Sequence, residues 1–377
     1  MKIVIAPDSF KGSLTAIEVA DAIEIGVKKI IPDAKIEKIP MADGGEGTVQ
    51  CLVNATRGKL YSHTVIGPLG NPVEATFGLL GDQKTAVIEM ASASGLPLVP
   101  PEKKNPLITT TYGTGQLILE AMDQGCDKLI IGIGGSATND GGAGMVQALG
   151  ALLIDPSGKE IGYGGAELSR LNRIDISKMD QRISQSNFLV ASDVQNPLCG
   201  PTGASHIYGP QKGATKTMIK RLDDALTHFA DLIERDLGKD IRHIPGAGAA
   251  GGLGAGLIAF LDAKLKPGID IIIEQVHLAQ LMKGADLVIT GEGEINGSTI
   301  YGKAPIGVAK VAKRFSIPVM AIGALIDKTG FIVKEHGIDY IIKPKNPVMS
   351  LNFSKQKNCN LLSQAVADFL IKKQAVL

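Results

Sequence analysis

Four stretches of the sequence set charged side chains among glycines, serines and threonines: "DSFKGS" from Asp8, "MADGGEGT" from Met41, "GIGGSATNDGGAG" from Gly132 and "TGEGEINGSTIYGK" from Thr290. In the first, Lys11 stands with Ser9, Gly12 and Ser13 ahead of a helix whose N-cap is Ser13 or Thr15. An ammonium, hydroxyls and backbone N–H groups at a helix start suit an anion. In the second, Asp43 and Glu46 lie among Gly44, Gly45 and Gly47. Glycines let backbone approach a ligand closely, while the carboxylates hold a hydroxyl or a hydrated Mg2+. The last stretch offers Glu292, Glu294, Asn296 and Lys303. Taken singly, a capped helix with a solvated lysine, or an ordinary Asp-Gly-Gly turn, accounts for each. Two sites that combine carboxylates, glycines and a lysine at strand ends favour chemistry over coincidence.

"GIGGSATNDGGAG" satisfies the G-x-G-x-x-A dinucleotide pattern at Gly132, Gly134 and Ala137, with Asp155 about 20 residues on. A Rossmann unit, however, needs a crossover helix, and only Gly141 to Gly150 is available before "ALLI". Asp140 would also set a negative charge near the pyrophosphate, so dinucleotide binding becomes a minor alternative. Ser136, Thr138, Asn139 and Asp140 instead group hydroxyl, amide and carboxylate functions that suit phosphate oxygens, met directly or through a metal ion. In "LVASDVQNPLCGPTG", Asp193 ends a strand and Asn196 turns the chain after it. An aspartate there can accept a proton from a substrate alcohol, the alternative being an Asx turn. Neither a Walker A sequence nor the protein-kinase motifs occur, so a nucleotide site here is of another design.

Elements that place such residues at one edge are legible in the hydrophobic pattern. "KIVIA", a helix from Ala16 to Ile30 and "KIEKIPM" form one strand–helix–strand unit. "DLVIT", "PVMAIGA" and "DYIIK" repeat it near the C-terminus, with helical stretches around residues 306–315 and 329–337 between them. This predicts an α/β fold with a parallel sheet, which binds ligands outside the carboxyl ends of its strands. Between these ends, "YSHTVIGPLGNPVEATFGLLG" and "KTAVIEM" read as hairpin-like strands, followed by helices and glycine loops. The simplest organisation is one domain from residues 1–58 and 284–377, with a second, mixed α/β domain of residues 59–283 inserted into it.

Composition narrows the partners. In 377 residues, 39 Lys and Arg almost balance 38 Asp and Glu, without the basic patch that nucleic acid or an anionic membrane calls for. Cys51, Cys126, Cys199 and Cys359 form no C-x-x-C pair, and the six histidines show no metal-binding spacing, which points to reduced cysteines in a cytoplasmic protein without structural zinc. "KIVIA" is too short for a signal peptide, and the Gly/Ala-rich run from Gly246 to Leu261 falls short of a spanning helix. That run is expected to be a tightly packed internal segment. A small charged metabolite remains as the expected partner.

Together with "EMASASGLPLV", "TTYGTGQLI", "SDVQNPLCGPTGASHIYGPQKGA" and "PGAGAAGGLGAGL", these stretches resemble, in order and over nearly the whole chain, the bacterial type 1 glycerate kinase family. The resemblance implies two α/β domains, one of them flavodoxin-like, with the active site in the interdomain cleft. It also implies Mg2+-dependent transfer of the ATP γ-phosphoryl group to D-glycerate, usually giving 2-phosphoglycerate in bacteria. On that reading Lys11 binds phosphate or the glycerate carboxylate, Asp193 orients the hydroxyl or acts as general base, and Asp43 with Glu292 holds Mg2+ or substrate hydroxyls. Ser9, Ser13, Gly44, Gly45, Ser136, Thr138, Asn139, Asp140, Asn196 and Lys303 complete the expected substrate and phosphate contacts. Where the family often has Arg and Asp in "GEGRxD", this chain has Glu294 and Asn296, so Glu292 and Lys303 carry more weight. A non-catalytic binding protein with the same fold, and a kinase for another small hydroxy acid, are the rival readings.

Overall fold

The computed structural model describes residues 1–344 and 354–373. Its strands, in chain order, are β1 (Lys2–Pro7), β2 (Lys35–Lys38), β3 (Lys59–Ile66), β4 (Pro72–Leu79), β5 (Thr85–Glu89), β6 (Lys128–Gly132), β7 (Leu152–Ile154), β8 (Arg173–Asp175), β9 (Asn187–Ala191), β10 (Lys264–Lys266), β11 (Leu287–Ile295), β12 (Val319–Ile326) and β13 (Tyr340–Ile342). The chain divides into two units, one of Met1–Asp43 with Pro267–Leu377 and the other of Gly44–Lys266.

In the unit made from the chain ends, five strands lie in the order β13-β12-β11-β1-β2, and every pair is parallel. Counted along this unit alone, the order is 2-1-3-4-5, that of flavodoxin. Ile3, Val4 and Ile5 of β1 are wholly buried, as the continuous apolar run of a covered parallel strand requires. The helix Ala16–Ile30 starts at Thr15, where a capping box with Glu18 decides between the two expected N-caps. Its buried face carries Val19, Ala20, Ile23 and Val27. At Gly26 on the same face, a Cβ would meet the carbonyl of Ser363 in the helix Lys355–Lys373 at 2.5 Å.

The inserted unit has a six-stranded sheet in the order β10-β9-β6-β5-β4-β3. Strands β10, β9, β6 and β5 run parallel, whereas β4 and β3 complete it as an antiparallel hairpin. A separate antiparallel pair, β7 and β8, flanks it. The Gly/Ala-rich run is internal as expected: Leu253, Ala255 and Leu257 of the helix Leu253–Leu261 have no exposed surface.

The units part at 43/44 and 266/267, not at 58/59 and 283/284. Packing moves both boundaries. The helix Thr48–Thr56 lies so tightly on β4 that a Cβ at Gly78 would sit 2.3 Å from Val53. The helix Gly268–Gln275 presses Ile269 against Gly307, where a Cβ would meet it at 2.4 Å. Lys2 Nζ donates to the carbonyls of Leu281 at 2.7 Å and Lys283 at 2.8 Å. None of the four cysteines is in a disulfide, and no helix among the described residues is long and apolar enough to cross a membrane.

Candidate active site

The strand order of the first unit reverses at β1, between β2 and β11, and such a switch point opens a crevice beyond the carboxyl ends of the strands. Pro7, the last residue of β1, pairs with Gly291, so Asp8, just past β1, and Glu292, within β11, stand at the same level on neighbouring strands; β11 runs on to Ile295, through the glycine stretch expected to follow it. Asp8 is only 5% exposed, and its Oδ1 accepts the N–H of Ser9 at 2.6 Å. Burial pushes the Asp8 carboxyl up to about 7, Asp43 adds to the rise, and Lys11 opposes it. Lys11 Nζ lies 3.2 Å from Asp43 Oδ2. Burial would lower the Lys11 ammonium, but Asp43, Asp8 and Glu292 together hold it above its ordinary value.

Glu292 is nearly buried and its carboxyl is raised, chiefly by burial. Its Oε1 accepts the hydroxyl of Thr299, and Lys303 Nζ lies 3.0 Å from Oε2. A Cβ on Gly293 would lie 3.4 Å from Phe10 Cα, so β11 passes close under the Lys11 loop. Expected residues Lys11, Asp43, Glu292 and Lys303 therefore belong to one electrostatically coupled group with Asp8, which sequence reasoning did not single out. Ser9 joins it through its N–H. Ser13 faces the helix Lys355–Lys373, its Oγ accepting from Asn358 Nδ2 at 2.8 Å. Of the two departures from the family pattern, Glu294 is exposed, and Asn296 caps the turn Gly297–Ile300 by accepting the N–H of Ser298 at 2.9 Å.

In the inserted unit, the loop after β6 turns its polar groups inward. Thr138, Asn139 and Asp140 have no exposed surface. Asp140 accepts from the N–H of Thr111 at 2.8 Å, the Thr111 hydroxyl at 2.9 Å, and the N–H groups of Gly142 at 3.2 Å and Gly144 at 3.3 Å. It thus serves the start of the short helix Ala143–Ala148. Asn139 Nδ2 donates to Ser205 Oγ at 3.0 Å. Asp140 and the Asn139 amide nitrogen are thus engaged within the protein, whereas Thr138 Oγ1 and Asn139 Oδ1 are buried without a hydrogen-bond partner among the described residues. Ser136, 7% exposed, stands nearer the surface, beside the exposed Gly134 and Gly135.

Gly44 and Gly45 run along the start of this loop. A Cβ at Gly132 would meet the Gly44 carbonyl at 2.8 Å, and Gly44 itself has φ +91°. Glu89, another residue not anticipated, accepts the N–H of Val49 at 2.9 Å and so occupies the N-terminal end of the helix Thr48–Thr56. Its carboxyl is raised by burial, against the opposing N–H bonds. Asp193 is exposed two residues beyond β9, at the carboxyl end of the parallel strands. Asn196 has both ends of its amide engaged, Nδ2 donating to the Thr202 carbonyl at 2.8 Å and Oδ1 accepting from the Tyr208 hydroxyl at 2.6 Å. It therefore clips its own loop.

A flavodoxin-order sheet with paired lysines and carboxylates at its switch point has the arrangement in which α/β proteins bind small ligands. The glycerate kinase family model matches residues 3–372, and the chain belongs to that family. A glycerate kinase of Halalkalibacterium halodurans is 56% identical over 369 residues, covering 98% of this chain and 97% of that protein. A glycerate 2-kinase of Escherichia coli is 55% identical over 353 residues, covering 93% and 92%. The crystal structure of a glycerate kinase 2 candidate from Salmonella typhimurium LT2 superposes with a TM-score of 0.92 at 51% identity, covering 100% of this chain and 98% of that one.

Proposed function

We propose that this chain is a cytoplasmic, type 1 enzyme that transfers the γ-phosphoryl group of ATP to the 2-hydroxyl of D-glycerate, giving 2-phosphoglycerate and ADP. The observation that carries this reading is the coupled group Asp8, Lys11, Asp43, Glu292 and Lys303 at the β1/β11 switch point. The name of the Escherichia coli relative supports the 2-position.

Phosphoryl transfer depends mainly on aligning the reactants and neutralising charge. Lys11 binds oxygens of the transferred phosphoryl group or of the glycerate carboxylate, and Lys303, held by Glu292, adds a second cation. The glycerate hydroxyl oxygen bonds to the γ-phosphorus as the bond to the ADP oxygen breaks, and the hydroxyl proton passes to a carboxylate. Asp193, exposed after β9, is assigned that role. Asp8 is the alternative, because a base whose pKa lies near the working pH is the more effective.

The donor set fits Mg2+, which keeps most of its waters and takes one or two carboxylates together with phosphate oxygens. Among the described residues no group of three or more His, Cys, Asp or Glu comes together as a metal cage. Asp43 and Glu292 are the carboxylates assigned to hold Mg2+. Bound there, Mg2+ would offset phosphate charge.

Coupled ADP release, with D-glycerate, tartronate and lactate compared at equal concentration, tests the proposal. D-glycerate should give the highest kcat/KM; no ADP above background with any acid, while glycerate still binds, supports a non-catalytic binding protein instead. In the same assay Asp193→Asn should lower kcat about 100-fold or more with thermal unfolding unchanged. Near-normal turnover would move the base role to Asp8.

A further inference from the structure

Lys212, in the short turn Pro210–Lys212, is the only buried lysine or arginine among the described residues, at 1% exposure. Its Nζ donates to Ser136 Oγ at 2.7 Å and to the Thr138 carbonyl at 2.6 Å, both neutral oxygens. An ammonium has three N–H donors, and the third finds no acceptor among the described residues. The charged group whose field reaches it is Asp140, which is already committed to Thr111, Gly142 and Gly144. Burying an ammonium costs several kcal/mol unless its charge is compensated, and an apolar side chain of similar size would avoid that cost. Packing alone therefore does not explain a lysine here.

The chemistry of Ser136 does. A hydroxyl that accepts from an ammonium keeps its own proton for donation. Ser136 follows the exposed Gly134 and Gly135, the latter at φ +73°. The back of this turn is fixed by Leu96 N–H to the Gly135 carbonyl at 2.8 Å and Ala137 N–H to the Ser94 carbonyl at 3.0 Å. We propose that Lys212 is a positioning residue which, through Ser136, makes the turn Gly134–Ser136 an oxyanion site for a substrate. The incoming anion supplies the counter-charge that Lys212 lacks. Burial lowers the Lys212 ammonium to about 7, with Asp140 opposing, so the charge is there to be restored by an anion at neutral pH. The proposal rests on the glycerate kinase reading for the identity of the anion, which is either a phosphate of ATP or the carboxylate of glycerate.

Calorimetric titration of ATP, D-glycerate and inorganic phosphate into wild type, Lys212→Met and Ser136→Ala separates the sources. In both variants the Kd of one substrate should rise tenfold or more while that of the other stays within twofold, and the affected substrate carries the oxyanion. For wild type that Kd should weaken as pH rises from about 7 to 9, and for Lys212→Met it should stay flat. Both Kd values within twofold in a folded variant would overturn the proposal, leaving Lys212 a purely structural residue. Should Lys212→Met fail to fold, Ser136→Ala alone decides. If wild type binds neither ATP nor glycerate but takes phosphate in a Ser136-dependent manner, the kinase reading fails and this site stands; without phosphate binding, both fail.

Discussion

Asp8 carries the clearest consequence of burial at a single residue. Its carboxyl lies near 7 in the folded chain against 3.8 ordinarily, so between about pH 4 and 7 the native state holds a proton that the unfolded chain has released. Stability is therefore present below that window and is lost as pH rises through it. With EDTA present, the Tm of wild type should fall from pH 4 to 7 relative to Asp8→Asn, and parallel Tm curves for the two proteins would refute the assignment. Lys11, Asp43, Glu292 and Lys303 were legible because each follows a recognisable strand among glycines. Asp8 and Lys212 were not, since what distinguishes them is burial, which strands and helices far apart in sequence create together. The same cause sets the place of Asp140, whose carboxylate looks like a ligand contact until Thr111, Gly142 and Gly144 are seen to use it.

Among the elements, the loop after β6 depends most on one side chain. Asp140 gathers four donors from Thr111, Gly142 and Gly144 and ties the start of the helix Tyr112–Asp123 to that of Ala143–Ala148. Asp140→Ala leaves those buried donors without an acceptor and should destabilise the chain by about 3 kcal/mol, read as a lower urea midpoint at unchanged m. A loss below about 0.5 kcal/mol would mean that the loop is held otherwise. Periodicity placed the helix Ala16–Ile30 at its observed bounds, and continuous apolar runs placed β1 and the first part of β11, though not its extension to Ile295. It did not settle the ownership of the helices Thr48–Thr56 and Gly268–Gln275, which the close approaches at Gly78 and Gly307 decide.

For the molecule as a whole, a chain that leaves the first unit after Asp43 and returns at Pro267 completes a 2-1-3-4-5 sheet from both its ends. That return sets β11 beside β1, and only then do Glu292 and Lys303 join Asp8, Lys11 and Asp43. Strand order was beyond the reach of the sequence pattern, since alternating strands and helices fix a parallel sheet without fixing neighbours; the family resemblance supplied the flavodoxin expectation. The central claim is that this group handles the phosphoryl group passed to glycerate. Phosphorus NMR of a mixture of ATP, Mg2+ and D-glycerate, run with wild type and with Lys11→Met at equal concentration, tests it most directly. Wild type should give 2-phosphoglycerate, with the rate about 100-fold lower or more in a Lys11→Met protein of unchanged Tm. No phosphoglycerate from wild type, or an undiminished rate from the variant, would contradict the account.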